Sequence, residues 1–331
     1  MKALALLSGG LDSILAVKVA QEAGVEVEAI NFIIPFLQSP DQNGVGNAAS
    51  AAKQLQIKLH YHVCSADYLQ IIEHPGHGYG KRMNPCLDCR IYTFKTAAQK
   101  MQEIGASFLI TGEVFDQRPN SQRLDALDIT ARDAGFKDLI VRPLSAKLLR
   151  ETLPEMNGWI NRAKLLDIKG RGRSRQIALA AHYGITDYPS PGGGCLLTNE
   201  EYSLKVKDLL EHDPKLFMDS VHLLRLGRHL RLSPKVKIII GKDQVENEAI
   251  KRAAAPENLI LELMDYPGPV TLYIGPPEEG SIHLAAAMTG GYGKVPEGVE
   301  VKVGIAGTHR HELWVKPMSR PEMRQYFVYK V

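Results

Sequence analysis

Cysteine is scarce in this chain: Cys64, Cys86, Cys89 and Cys195 are the only four among 331 residues. So few, so far apart, do not make a disulfide framework, and a Cys-x-x-Cys pair in a reducing compartment reads instead as metal or redox chemistry. Long apolar runs are missing too. None approaches the ~18 residues that a membrane helix needs. The apolar start, residues 1–7, stops at Ser-Gly-Gly-Leu-Asp and is too short for the hydrophobic region of a secretory signal. The expectation is a cytoplasmic protein with no membrane partner. A strong charge of one sign is also lacking, at a net +3. There is no internal repeat and no low-complexity segment. With 44% hydrophobic and 23% charged residues, the composition excludes disorder or a collagen-like chain as whole-chain readings.

What is present is organised. The first 145 residues alternate short apolar runs (2–7, 25–32, 58–63, 107–111, 138–141) with helical spacing (11–23, 48–55, 90–104, 122–134). Strands alternating with helices predict a parallel sheet covered on both faces, with ligands beyond the carboxyl ends of its strands. Residues 147–183 read as mostly helical and basic. A dense cluster of turn formers then runs to Gly192-Gly193-Gly194-Cys195, and residues 199–210 read as one more helix. After about residue 220 the texture changes. Short β-rich runs at 236–240, 259–263, 270–274, 299–303, 312–315 and 326–329 are separated by Pro/Gly turns and predict a separate, smaller α+β domain. The expected domains are 1–180, a helical and loop extension over 181–220 carrying Cys195, and 221–331.

The strongest local signal is Ser8-Gly9-Gly10-Leu11-Asp12-Ser13, between the first predicted strand and its helix. Glycines let the backbone curl close to a ligand, and the N–H groups of the turn and first helical residues point outward together, which makes an anion site. Ser8 and Ser13 add hydroxyl donors. Asp12 is out of place against phosphate unless it holds Mg²⁺ bridging to the phosphates, or orients an attacking group. The loop lacks the Gly-Lys-Ser/Thr ending of a Walker A motif and is not Gly-x-Gly-x-x-Gly.

This hexapeptide resembles the PP-loop of the N-type ATP pyrophosphatases, with the motif complete. The resemblance implies a Rossmann-like, adenine nucleotide alpha hydrolase-like fold over roughly the first half of the chain. It also implies ATP cleavage between the α- and β-phosphates, adenylation of a carbonyl-type oxygen, and displacement of AMP by a nucleophile. Ser8, Gly9, Gly10, Leu11, Asp12 and Ser13 would then bind ATP or pyrophosphate, with Thr111 and Gly112 beside the nucleotide. Arg142-Pro143-Leu144 resembles a segment leading to a basic residue near the phosphates, here Lys147. Glu113 stands where several tRNA-acting members have His, and Mg²⁺ ligand, ribose contact or neither all remain open for it.

The cysteines choose among the branches. Amide-forming members need none, whereas Asn84-Pro85-Cys86-Leu87-Asp88-Cys89 resembles the Pro-Cys-x-x-Cys of the tRNA sulfur-transfer branch, which includes 2-thiouridine synthases. Cys86 and Cys89 fall on one face of a helix start, where a lowered thiol pKa is expected. Either Cys86, Cys89 and Cys195 hold a [4Fe–4S] cluster, or one carries a persulfide and another resolves it; structural zinc is the third option. Cys64, on an alternating strand beside His60 and His62, reads as a core thiol.

Two basic segments suggest RNA. Lys169-Gly-Arg171-Gly-Arg173-Ser-Arg175 alternates positive and small residues, and Arg225, Arg228 and Arg231 lie among leucines in what reads as one amphipathic element. The residues after 220 resemble the RNA-binding domain of NFACT-type proteins. The resulting expectation is an ATP-dependent tRNA thiolase whose partners are tRNA and a sulfide or persulfide donor. The alternatives are a PP-loop sulfur insertase or amide ligase acting on a small molecule, and a non-catalytic RNA-binding protein.

Overall fold

A computed structural model describes residues 1–37, 45–190, 194–213, 216–307 and 310–330. The chain divides into two compact units, residues 1–198 and 199–331. The break lies between the expected boundaries, within the segment read as an extension.

The first unit is built on β1 (Lys2–Leu6), α1 (Leu11–Glu22), β2 (Glu26–Ile33), α2 (Val45–Leu55), β3 (Leu59–Val63), α3 (Ala66–Glu73), α4 (Cys86–Glu103), β4 (Phe108–Thr111), α5 (Leu124–Asp133), β5 (Ile140–Val141), α6 (Leu153–Met156) and α7 (Ser174–His182). The strands form one parallel sheet in the order β3-β2-β1-β4-β5. The order reverses at β1, between β2 and β4, and in such sheets the crevice at that point receives the ligand. β1 is central, and Ala3, Leu4 and Ala5 are buried on both its faces. α1 packs on one face with α2 and α7, through Leu11, Ile14, Leu15, Ala51 and Ala180. α4 and α5 cover the other through Phe94, Ala97, Met101 and Ala131. α1 ends where Gly24 takes φ +89°, a left-handed turn that glycine adopts without strain.

The helical reading of 147–183 is corrected. Only α6 and α7 are α-helices there, and the rest is short 3-10 turns and loop. Backbone bonds to the first unit's core segments, such as Leu166 N to Pro143 O and Ile168 N to Leu144 O, hold that loop extended.

The second unit contains α8 (Glu200–His212), α9 (Met218–Leu223), β6 (Arg228–Ser233), β7 (Val236–Ile240), α10 (Gln244–Ala253), β8 (Leu259–Leu263), β9 (Thr271–Ile274), α11 (Glu279–Gly291), β10 (Val301–Ala306), β11 (His311–Val315) and α12 (Arg320–Met323). Its six strands are antiparallel, in the order β11-β10-β8-β9-β7-β6. α11 packs on one face with Leu230, Ile238 and Val303, while Ile250 of α10 and Leu223 of α9 pack on the other with Ile239 and Leu272. α8 belongs to this unit because its Asp208 pairs with Arg231 and Lys237. Two expectations fail here. Residues 223–232 are not one amphipathic element but the end of α9, a turn and β6. Residues 326–329 contribute one isolated bridge, Phe327 to Leu230, rather than a strand. Among the described residues no helix is long and apolar enough to cross a membrane.

Candidate active site

The 8–13 loop leaves β1 at the switch point. Its shape is fixed by its own side chains: Ser13 Oγ donates to Gly10 O (2.7 Å), the Ser8 and Ser13 hydroxyls are 3.2 Å apart, and Gly10 N donates to Ser8 Oγ (3.3 Å). Two glycines are required by close approach. Gly9 has φ +79°, and a Cβ there would lie 2.5 Å from the Asn47 carbonyl carbon of α2. At Gly112, just past β4, a Cβ would lie 2.6 Å from Ser13 N. Gly112 is therefore seated against the start of α1, the end of a helix that attracts anions. The result is an anion cradle.

Asp12 sits in this cradle with Oδ2 accepting from Gln117 Nε2 (3.1 Å). Its Oδ1 is buried and has no partner among the described residues. An orphaned buried carboxylate oxygen beside an anion cradle suits a divalent cation, which takes hard oxygen ligands. Sequence reasoning missed two buried amides, Asn31 and Gln122. Asn31 of β2 donates to Leu7 O (2.8 Å) and leaves its buried Oδ1 without a partner among the described residues. The buried Gln122 likewise leaves Oε1 unpaired. Neither Asn31, inside β2, nor Gln122, just ahead of α5, belongs to a motif that the sequence shows.

Glu113 is held within the fold. It is 1% exposed and ion-paired to Arg142 (2.9 Å) and Arg90 (3.1 Å). Lys147 is exposed, and its Nζ donates to Ala163 O (2.9 Å).

The fold gathers three cysteines, Cys64, Cys89 and Cys195, around one tyrosine, and Cys86 lies beside Cys89 and Cys195. Tyr68 of α3 is 2% exposed, and its hydroxyl donates to Cys89 Sγ (3.0 Å). Burial, then Cys89, Cys195 and Cys64, push its own pKa well up. Cys195 reaches this neighbourhood through a bridge to Leu37 and the bond from Leu196 N to Phe36 O (2.8 Å). Cys86 Sγ donates to Asn84 Oδ1 (3.0 Å). Cys64 is fully buried at the end of β3, as a core thiol should be, although it also faces Cys89.

The expected lowering of the thiol pKa values is overturned. Burial pushes Cys195 up to about 12, with Cys89 and Cys86 adding to it. Burial also raises Cys86, against Arg90 and Arg118, and Cys89, against its bond from Tyr68 and Arg90. Desolvation thus outweighs the helix start. Among the described residues, no three His, Cys, Asp or Glu side chains converge to hold one metal ion. A cluster makes a looser demand, because its cysteines bind different irons and need only flank it. Gly192 and Gly193, before Cys195, lie outside the described residues.

The basic residues have varied fates. Arg171 is exposed without an ion-pair partner among the described residues. Arg175 is paired with Asp167 (2.5 Å). Arg173 is half-buried. In the second unit, Arg231 forms a two-pronged pair with Asp208 (2.9 and 2.8 Å). Arg228 stacks over Tyr292 and donates to Gly241 O (3.0 Å). Arg225 is half-buried in the turn before β6.

Two family models match separate parts of the chain. Residues 1–148 match the family described as thiamine biosynthesis protein (ThiI), and residues 227–327 match the NFACT protein RNA-binding domain. A probable tRNA sulfurtransferase of Ureaplasma urealyticum is 32% identical over 148 residues, covering 43% of this chain and 36% of that one. One from Lysinibacillus sphaericus is 33% identical over 146 residues, covering 43% and 34%. The chain thus spans about a third of the length of these relatives. A 4-thiouridine synthetase solved with RNA and ATP overlaps 56% of this chain and 51% of its own, at 20% identity and a TM-score of 0.35.

Proposed function

We propose that this chain, whose first 148 residues are a PP-loop domain of the tRNA-sulfurtransferase branch, is an ATP-dependent tRNA thiolase. The observation that carries the reading is the cradle at the switch point with Asp12 Oδ1 orphaned inside it. ATP would place its β- and γ-phosphates on the 8–13 loop, and Asp12 would hold Mg²⁺ against them. A base carbonyl oxygen attacks the α-phosphorus, the bond to the β-phosphate oxygen breaks, and pyrophosphate leaves. Sulfide then attacks the activated carbon, or the outer sulfur of a persulfide does, in which case a second thiolate afterwards breaks the S–S bond, leaving the sulfur on the base and a disulfide between that thiol and the donor. A C–S bond forms, the C–O bond breaks, and AMP departs with the oxygen. The NFACT-type domain supports tRNA as the molecule bearing that base.

Cys86, Cys89 and Cys195 would handle the sulfur. Their mutual proximity supports the [4Fe–4S] reading, with one cysteine carrying a persulfide and another resolving it as the alternative. When bound by three cysteines, such a cluster keeps one iron open to carry sulfide. The chain's own contribution is to hold Cys86, Cys89 and Cys195 half-buried near one another, with the Tyr68 hydroxyl donating to Cys89.

Pyrophosphate release tests the reading. The wild-type chain with Mg-ATP should release pyrophosphate faster when tRNA is added, and Asp12→Ala should lose at least a hundredfold of that rate with an unchanged circular dichroism spectrum. Stimulation by a small acid and not by tRNA would move the chain to small-molecule chemistry. No ATP cleavage at all would leave it a binding protein.

A further inference from the structure

Gln176 is fully buried, and neither its Nε2 nor its Oε1 has a partner among the described residues. Arg173, three residues earlier, has its Nε buried and equally unpaired. Orphaned buried polar groups are costly, so two such side chains three residues apart at the start of one helix call for an explanation.

Their place in the fold supplies one. Gly170 N donates to Phe115 O (2.8 Å) and Lys169 bridges to Phe115, so the approach to α7 is fastened to the loop after β4. Gln117 of that loop holds Asp12. At the other end of α7, the Tyr183 ring meets Lys18 of α1 (5.5 Å). The two helices share one core, and the approach to α7 is fastened to the loop that holds Asp12. Gln176 lies one turn before Ala180, which packs in the core shared with α1. Helical side chains lean toward the helix start, so its amide lies over the turn that begins at Arg173. That turn has no acidic residue and no side-chain cap, and exposed Lys169 and Arg171 precede it.

We propose that the first turn of α7, with Arg173 and Gln176, forms a second wall of the phosphate site and takes Mg²⁺-bound pyrophosphate jointly with the 8–13 loop. An amide offers a donor and an acceptor, so its ligand must offer both. Hydrated Mg-pyrophosphate does: phosphate oxygens accept from Arg173 and from Gln176 Nε2, and metal-bound water, which Mg²⁺ retains, donates to Oε1. Arg173 is the long, half-exposed side chain that moves to admit it. The proposal rests on reading residues 8–13 as an ATP phosphate loop, and it assigns Arg173 to ATP rather than to RNA.

The test is calorimetric titration of the full chain with Mg-pyrophosphate, together with thermal melts without ligand. Gln176→Leu and Arg173→Met should each weaken binding at least tenfold. Gln176→Leu should melt no lower than wild type, because it removes an unpaired buried amide. If Asp12→Asn loses binding while both α7 variants keep wild-type affinity, the second wall is wrong and the phosphate loop stands. Should Gln176→Leu lower the melting temperature without changing affinity, the amide is structural and the proposal falls. Absence of wild-type binding would overturn the wall and the ATP reading together.

Discussion

Glu113 carries two arginines in a space where it is 1% exposed. Its position after Thr111-Gly112 left metal binding and ribose binding open in the sequence. Its partners, Arg90 and Arg142, lie 23 residues before it and 29 after it, and no local pattern announces them. Arg90 follows Cys89, so the pair ties the cysteine helix to the exit of β4. Removing one partner of a buried pair leaves an uncompensated charge and costs about 3–5 kcal/mol. Glu113→Ala should therefore lose about that much in urea denaturation, and wild-type stability would restore Glu113 as a free site residue. The same competition governs the thiols. A helix start lowers a cysteine pKa, but burial raises it by more, and burial is not written in a Cys-x-x-Cys motif.

At the level of elements, the start of α4 is held by a clasp that the sequence did not disclose. His77 Nδ1 meets Asp88 (2.9 Å), between the two cysteines, and its Nε2 meets Asp133 of α5 (3.0 Å), itself paired with Arg132. The bond to Asp88 leads in raising the His77 pKa, with Asp133 adding and burial opposing. A raised histidine contributes stability that is complete below its ordinary value near ~6.5 and is lost as pH rises through the folded value. Hydrogen-exchange protection of the His77 amide, which donates to Asp88 (3.0 Å), should fall across that interval. In His77→Gln it should not change there; an equal fall in that variant would show that the clasp does not depend on the charge. Elements with strong local patterns were legible: α1 with Gly24 behind it, β1 and β7 as apolar runs, and α4 from its cysteines onward. α3 and α11 were not. α11 is almost uniformly small and apolar at Ala285, Ala286 and Ala287, so it has no amphipathic period to read.

On the scale of the whole molecule, strand–helix alternation announced the parallel sheet, and Pro/Gly-punctuated strands announced the antiparallel one. The boundary between them was blurred because α8 belongs with the second unit through Asp208, a contact across sequence. The basic residues show how far charge counting goes. Arg175, Arg228 and Arg231 are engaged within the fold, whereas Arg171 is exposed. Arg171→Ala should weaken tRNA binding and reduce the salt slope by about 1. Arg231→Ala should instead lower stability, with little change in that slope. The reverse pattern in salt-dependent filter binding would place the RNA surface on β6.

The most direct test of the account is nucleoside mass spectrometry of tRNA incubated anaerobically with the purified chain, Mg-ATP and sulfide. The account predicts a nucleoside in which sulfur has replaced a base oxygen, formed only with ATP and absent with Asp12→Ala. Pyrophosphate release stimulated by tRNA with no thionucleoside formed would contradict it.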